Sequence, residues 1–227
     1  GWVAGKHPGL VREIASAGHE IGSHGNYHRL VFRQTREEFR EDLLSSRRLL
    51  EDITGREINM YRAPSWSISQ NTLWALEILE EEGFLCDSSI QPFRTPLSGI
   101  ARAPVVPYHP VVGGRRLNLL EFPPTVLLLG GLRLPFAGGF YLRALPRRAV
   151  VMAMTLVNRK RPGMVYVHPW EMDDGQPRLQ VPPAIKLMHY LNLGKTGKKF
   201  ECLLRHFEFA PLGHFINRGV YPAIPVI

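Results

Sequence analysis

The sequence predicts an α/β fold built on a parallel sheet. Helix patterns alternate with short apolar segments along the first hundred residues, and each segment runs into a chemically capable polar residue. The chain is also large enough for a full core, with 227 residues, 44% hydrophobic and 21% charged. Helices alternating with short buried strands imply crossover connections, and hence parallel strands. In such sheets and barrels, ligands gather at the C-terminal ends of the strands.

His7-Pro8 opens the first clear helix, because proline suits the first turn. Leu10, Val11 and Ile14 form its apolar face, and Gly18 suits its stop. Glu20 to Ser23 then leads into His24. The next helix starts at Thr35, with Glu38 three residues on as a capping box. Phe39, Leu43, Leu50 and Ile53 recur at helical spacing before Gly55. Ile58 to Tyr61 reads as a strand ending at Arg62. A helix over roughly Gln70 to Glu82, closed by Gly83, precedes a strand from Phe84 to Cys86 that ends at Asp87. The unit recurs later: Arg147 to Lys160 is helical, Pro162-Gly163 breaks it, and Met164 to Val167 reads as a strand ending at His168.

Between these units, residues 91–145 break the rhythm with crowded prolines, and Gly113-Gly114 suggests a turn into a strand or hairpin. We read 1–227 as one domain with an irregular insertion at 91–145 and a C-terminal extension at 171–227. The extension carries helices near Ile185 to Leu191 and Gly197 to His206.

Composition excludes several classes. Cys86 and Cys202 lack ligand-like spacing, which rules out a zinc ribbon or disulfide scaffold. No apolar run reaches the ~18–20 residues of a membrane helix. The formal net charge of +8 is uneven: residues 1–100 carry 11 basic and 14 acidic side chains, residues 101–227 carry 17 and 6. No aromatic-interleaved basic motif accompanies the basic half, so it reads as solvated surface rather than a nucleic-acid site. The chain opens on Gly1 rather than Met, which we read as a missing natural N-terminus.

Three clusters carry chemistry. His24 and His28 lie four apart, a spacing at which two imidazoles can bind one metal ion. Gly25 and Asn26 between them disfavour helix, so the pair sits on a loop; its plainer reading is two surface histidines in a turn. Tyr61-Arg62-Ala63-Pro64-Ser65-Trp66 places a guanidinium able to grip a carboxylate, with the Ser65 amide able to face a substrate oxygen; a surface Arg in a tight turn is the alternative. Val165-Tyr166-Val167-His168-Pro169-Trp170-Glu171 delivers a histidine to a strand end, as a general acid or as a buried, hydrogen-bonded residue. Trp170 could stack on a sugar or pack the rim, and Asp87 alone could be only a turn cap.

Taken together, Gly18-His19-Glu20-Ile21-Gly22-Ser23-His24-Gly25-Asn26-Tyr27-His28, Tyr61-Arg62-Ala63-Pro64-Ser65, Asp87-Ser88-Ser89-Ile90 and the His168 strand resemble the polysaccharide deacetylases with a NodB-homology domain, carbohydrate esterase family four. The likeness is nearest to the deacetylases of exosortase-linked exopolysaccharide loci and covers nearly the whole chain. It implies a distorted (β/α) barrel, incomplete here at its N-terminal strand or strands. The implied reaction is metal-dependent hydrolysis of N-acetyl groups on an amino-sugar polysaccharide. By the resemblance, His24 and His28 hold a divalent metal, most often zinc. Arg62 orients the catalytic base, the Ser65 amide helps hold the oxyanion, Asp87 tunes the general acid, and His168 is that acid. The family's first acidic motif, which supplies the base and third metal ligand, is absent from these residues, so the chain alone is expected to be inactive. Tyr166 stands where many members have Leu, and a Trp after the Asp87 motif is missing. The implied partner is an acetylated amino-sugar polymer, with no nucleic acid and no integral membrane segment. The resemblance places the protein in the cytoplasm, with the periplasm as the alternative. Two other readings are a non-catalytic carbohydrate-binding accessory protein and an allantoinase-like hydrolase of a small cyclic amide.

Overall fold

Helix ends are where local sequence acts most directly on this chain. The computed structural model describes residues 1–95, 98–216 and 219–226. Helices α1 (Trp2–Lys6) and α2 (Pro8–Ser16) come first, with Pro8 in the first turn of α2. In α3 (Arg36–Thr54), Thr35 Oγ1 accepts the Glu38 N–H while the Glu38 carboxylate accepts the Thr35 N–H, and Gly55 closes the helix at φ 63°. The buried face of α3 carries Phe39, Leu43 and Leu50, but also Asp42 and Ser46. A short 3-10 turn at Gln70–Thr72 leads into α4 (Trp74–Glu81).

The chain divides into two units, Gly1–Pro123 with Ala210–Ile227, and Pro124–Phe209. The segment expected as an insertion is therefore shared: 91–123 belongs to the first unit and 124–145 to the second.

In the first unit, strands β1 (Met60–Tyr61), β2 (Cys86–Asp87) and β5 (Leu120–Glu121) form a parallel sheet in the order β1-β2-β5. Asp87 is thus the last residue of its strand rather than a cap after it. The segment before His24 contributes a single parallel bridge, Ser23 to Tyr61. A second sheet pairs β3 (His109–Val112) with β4 (Arg115–Arg116) across the Gly113-Gly114 turn, and with β8 (Ala223–Pro225). The core beneath joins Phe39, Leu43, Tyr61, Leu76, Leu79, Phe84 and Tyr108. Helix α9 (Gly213–Ile216) belongs to this unit.

The second unit opens with a hairpin of β6 (Val126–Leu129) and β7 (Leu132–Pro135), so part of the proline-rich stretch is regular. Gly130 and Gly131 both have positive φ, 55° and 81°, as a two-residue turn between right-twisted strands requires. Helices α5 (Gly139–Ala144), α6 (Arg147–Asn158), α7 (Pro183–Tyr190) and α8 (Leu193–His206) come next. Phe136, Leu142, Val150, Met154, Val157 and Leu203 form its core. The strand expected at Met164–Val167 is reduced to one parallel bridge, Tyr166 to Gly138. The Met164 N–H bonds outside any ladder, to the Thr125 hydroxyl. Val165 and Val167 still pack on the core, so the apolar pattern reports burial rather than strand pairing. Among the described residues, no helix is long and apolar enough to cross a membrane.

Gly138 permits the Tyr166 bridge. A Cβ there would lie 2.3 Å from the Tyr166 ring and 2.4 Å from its backbone oxygen. Gly138→Ala must push the segment leading to His168 away, so it is expected to destabilise the protein by about 1–3 kcal/mol, the usual cost of overpacking. A urea denaturation midpoint equal to that of the wild type would contradict this packing.

Candidate functional site

Parallel pairing sets four residues in one row. Ser23 bridges to Tyr61, Tyr61 pairs with Asp87, and Asp87 pairs with Glu121. The residue after each of the first two is a candidate, His24 and Arg62, so the register brings them side by side. The Arg62 N–H donates to the Ser23 carbonyl at 3.1 Å. His24 Nδ1 lies 2.5 Å from the Arg62 carbonyl oxygen, which fixes that nitrogen as the donor. Nε2 then carries the lone pair, the form a metal-ligating imidazole takes when a carbonyl orients its other nitrogen.

The loop from His24 to His28 is held from beneath by α3. Asp42 accepts the N–H groups of Asn26 and Tyr27 at 2.7 and 3.1 Å. Ser23 Oγ donates to Ser46 Oγ at 2.9 Å. Gly25 sits at φ +75°, and a Cβ on it would be 2.8 Å from Asp42 Oδ2, so glycine is required on both counts. The loop brings the two rings to a 5.0 Å centroid separation at 71°. The pair borders a cavity of about 630 Å³ that Val11, Ile14, Ile21 and Leu50 also line. Two imidazoles at this spacing fit part of a metal shell. Among the described residues, no group of three or more His, Cys, Asp or Glu side chains completes one.

Arg62 is half-buried, and its guanidinium turns toward β2. Nε donates to the Ser88 carbonyl at 3.2 Å and Nη2 to the Ser88 hydroxyl at 3.1 Å. Its planar head also lies 5.7 Å over the Trp66 ring. Ser65 and Trp66 both adopt left-handed backbone, φ 53° and 50°. Such conformations cost on the order of 1–3 kcal/mol each and persist where the surroundings impose them. They present Ser65 at the surface of the turn.

Asp87 and Glu121 are both fully buried. Ser89 Oγ donates to Asp87 Oδ1 at 2.5 Å and itself accepts the Ala63 N–H at 2.8 Å. Glu121 Oε1 accepts the Ile90 N–H at 2.9 Å. Apart from each other, Asp87 Oδ2 and Glu121 Oε2 meet no hydrogen-bond partner among the described residues. Burial raises the proton affinity of Asp87, partly offset by its hydrogen bonds from Glu121 and Ser89. Burial raises Glu121 well above the usual range, and the neighbouring Asp87 charge adds to this. The physical resolution is one shared proton, with Glu121 as the donor to Asp87. Glu121 is not among the candidates drawn from sequence, although a carboxylate inside the apolar run Leu119 to Phe122 is a signal.

His168 lies in the second unit, with its side chain 47% exposed. Its Nδ1 is 3.0 Å from Glu171 Oε2, which also accepts the His168 backbone N–H at 2.8 Å. The other Glu171 oxygen pairs with Arg143 in a buried ion pair. Burial alone would raise the Glu171 carboxyl, but hydrogen bonds from His168 and the Arg143 charge win and hold it below the usual range. Its stabilising contribution is therefore complete above the unfolded carboxylate pKa and lost as pH falls through the folded one. Trp170, expected as a sugar platform or rim residue, stacks on His189 at 4.2 Å and 10°, and Arg143 lies 4.9 Å from its ring centre. The structure thus joins His24, His28 and Arg62 with Asp87 nearby in one unit, and places His168 and Trp170 together in the other.

Residues 88–217, more than half of the chain, match the family model described as "Domain of unknown function (DUF3473)". The chain belongs to the DUF3473 family. Residues 1–82, which hold the histidine pair and Arg62, match the polysaccharide deacetylase model. The chain is also similar to two curated relatives. It is 36% identical over 80 residues to the peptidoglycan deacetylase of Helicobacter pylori, covering 35% of this chain and 26% of that protein. It is 32% identical over 75 residues to the peptidoglycan-N-acetylglucosamine deacetylase of Bacillus cereus, covering 33% and 27%. The matches thus span about a quarter of the length of these relatives. Both relatives are named as deacetylases, hydrolases of carbon-nitrogen bonds. A solved structure from Mycobacterium smegmatis, assigned as a polysaccharide deacetylase, aligns with a TM-score of 0.56 at 21% identity, over 95% of this chain and 68% of that one. This likeness establishes the predicted α/β fold of the NodB type.

The buried carboxylates can each be probed by substitution. Asp42→Ala removes two acceptors from under the histidine loop and is expected to cost about 1–3 kcal/mol. Amide exchange at Asn26 and Tyr27 should then quicken; unchanged protection there would show that Asp42 does not hold the loop. For Glu121, a proton kept in the folded chain and released on unfolding makes stability fall as pH rises above the unfolded carboxylate range. Glu121→Gln cannot ionise and donates to Asp87 at every pH, so it should melt higher than wild type at pH 8. The gap should shrink toward pH 4; a gap constant across that range would exclude the shared proton.

Proposed function

We propose that this chain carries the core of a metal-dependent polysaccharide N-deacetylase acting on an acetylated amino-sugar polymer. The observation that carries the reading is the His24–His28 pair at a strand end, with His24 Nδ1 bonded to the Arg62 carbonyl. The match of residues 1–82 to the deacetylase model supports it. His24 and His28 would hold the metal, and zinc suits an imidazole pair. The bound cation supplies Lewis-acid polarisation of the acetyl carbonyl. The Ser65 amide, on its left-handed turn, takes the developing negative charge on the carbonyl oxygen. His168 Nε2 delivers a proton to the departing amine, since Nδ1 is committed to Glu171. Arg62 positions the carboxylate base, which takes a proton from the water that adds to the acetyl carbon as the carbon-nitrogen bond breaks and acetate is released. That base and the third ligand belong, by the family resemblance, to an acidic motif preceding the histidine motif. Asp87, joined to Ser89 and Glu121, acts in this reading by holding the Arg62–Ala63 turn through the Ser89–Ala63 hydrogen bond. We further propose that the polymer is an exopolysaccharide of the kind made at exosortase-linked loci.

The test uses zinc titration and acetate release. Residues 1–227 should bind zinc, and His24→Ala should weaken binding by at least tenfold. Acetate release from acetylated glucosamine oligomers should be absent for this chain alone, and should appear when the acidic motif is joined upstream of Gly1. Oligomer binding without acetate release by the extended protein would favour the accessory-protein reading. Turnover of allantoin instead would favour the cyclic-amide reading. Zinc binding unaffected by either histidine substitution would remove the metal assignment.

A further inference from the structure

One buried group in the second unit is left over by the proposed chemistry. The Glu171 and Arg143 side chains are 1% and 2% exposed, an ion pair almost wholly out of water. Burying two charges is costly unless each is closely paired and hydrogen-bonded. A structural account is available: Glu171 caps the 3-10 turn Pro169–Met172 by accepting the His168 N–H. A cap needs only a carboxylate or amide facing one backbone N–H. It does not need a buried guanidinium behind it, and it does not need the same oxygen to hold the imidazole.

The geometry holds all three. Glu171 Oε2 takes the His168 N–H and Nδ1 at 2.8 and 3.0 Å, while Oε1 faces Arg143. Arg143 is itself fixed from α7 and α8. Its Nη2 donates to the Met188 carbonyl at 2.6 Å, and its own carbonyl accepts from Asn192 Nδ2 and Lys199 Nζ at 3.0 and 2.7 Å. His168 then has one ring edge tied to a buried carboxylate, while its side chain remains about half exposed. Trp170, 5.7 Å away and tilted 25°, flanks the ring. A carboxylate behind one nitrogen of a histidine fixes its tautomer and orientation.

We propose that Glu171, clamped by Arg143, is the positioning residue for His168, holding Nδ1 as the donor so that Nε2 is the nitrogen left for proton transfer. This rests on the reading of His168 as the general acid. It gives the general acid a carboxylate partner three residues away, in place of the Asp87 that the family resemblance suggests.

Nitrogen-15 NMR of the histidine rings tests the positioning in the 227-residue chain itself, without turnover. Wild-type His168, when neutral, should carry its proton on Nδ1. Glu171→Gln should move it wholly or partly to Nε2, and Glu171→Asp should restore Nδ1. If Glu171→Gln does not fold, the double variant Arg143→Met with Glu171→Gln removes both buried charges and is read the same way. In the extended, active protein, Glu171→Gln should lower kcat by on the order of 10²-fold with KM unchanged, and Asp should recover part of it. An Nε2–H tautomer in the wild type, or an Nδ1–H tautomer that survives loss of the carboxylate, would overturn the positioning role. If the tautomer shifts as expected but His168→Ala keeps full acetate release, the positioning stands and the general-acid reading falls.

Discussion

Parallel register is the constraint on which the site of the first unit depends. Successive residues of a strand point to opposite faces, so a slip of one position would turn every side chain over. The row Ser23, Tyr61, Asp87, Glu121 therefore sets where the next residue of each segment emerges. His24 and Arg62 come out side by side because their predecessors pair. The Arg62 main chain closes the arrangement by donating to Ser23 and accepting from His24. These strands are only two residues long, so the register is held as much by hydrogen bonds beyond the ladder as within it.

Those extra bonds come from buried polar groups. Asp42 on α3 holds the loop that shapes the histidine pair. The Asp87–Glu121 pair reaches the Arg62 turn through Ser89 and Ala63. In the second unit, Glu171 and Arg143 hold His168 in a comparable way. Each buried carboxylate sits one layer behind a more accessible candidate, and each is compensated differently: by backbone N–H groups, by a shared proton, and by a guanidinium. Removing one partner would leave a desolvated charge, which costs more than the intact arrangement contributes.

Sequence reveals this design unevenly. Elements specified locally are legible: Thr35 and Glu38 announce the start of α3, Gly55 its end, and Gly113-Gly114 the turn between β3 and β4. The strand-end candidates are legible because short apolar segments stop at His24, Arg62 and Asp87. Met164 to Val167 misleads, because a buried segment and a paired strand share one apolar pattern. The supporting carboxylates escape a sequence reading because their partners are distant along the chain: Asp42 lies 16 residues from Asn26, and Glu121 lies 31 from Ile90. Asp42 and Ser46 do leave a trace, as polar residues on the apolar stripe of α3. Glu171 leaves one as well, three residues from His168, but its buried Arg143 partner cannot be read from spacing.

The carboxyl pair also has an effect on its neighbour Cys86. That thiol is buried, and burial together with the negative charge shared by the neighbouring Glu121–Asp87 pair raises its pKa well above the ordinary value. Thiolate is the reactive form, so Cys86 will ignore alkylating reagents while the first unit is folded. Cys202, on α8 of the second unit, is only half-buried. These 227 residues therefore contain an orthogonal pair of chemical reporters. A maleimide dye can be placed at Cys202 without mutagenesis, and later modification of Cys86 then records each opening of the sheet.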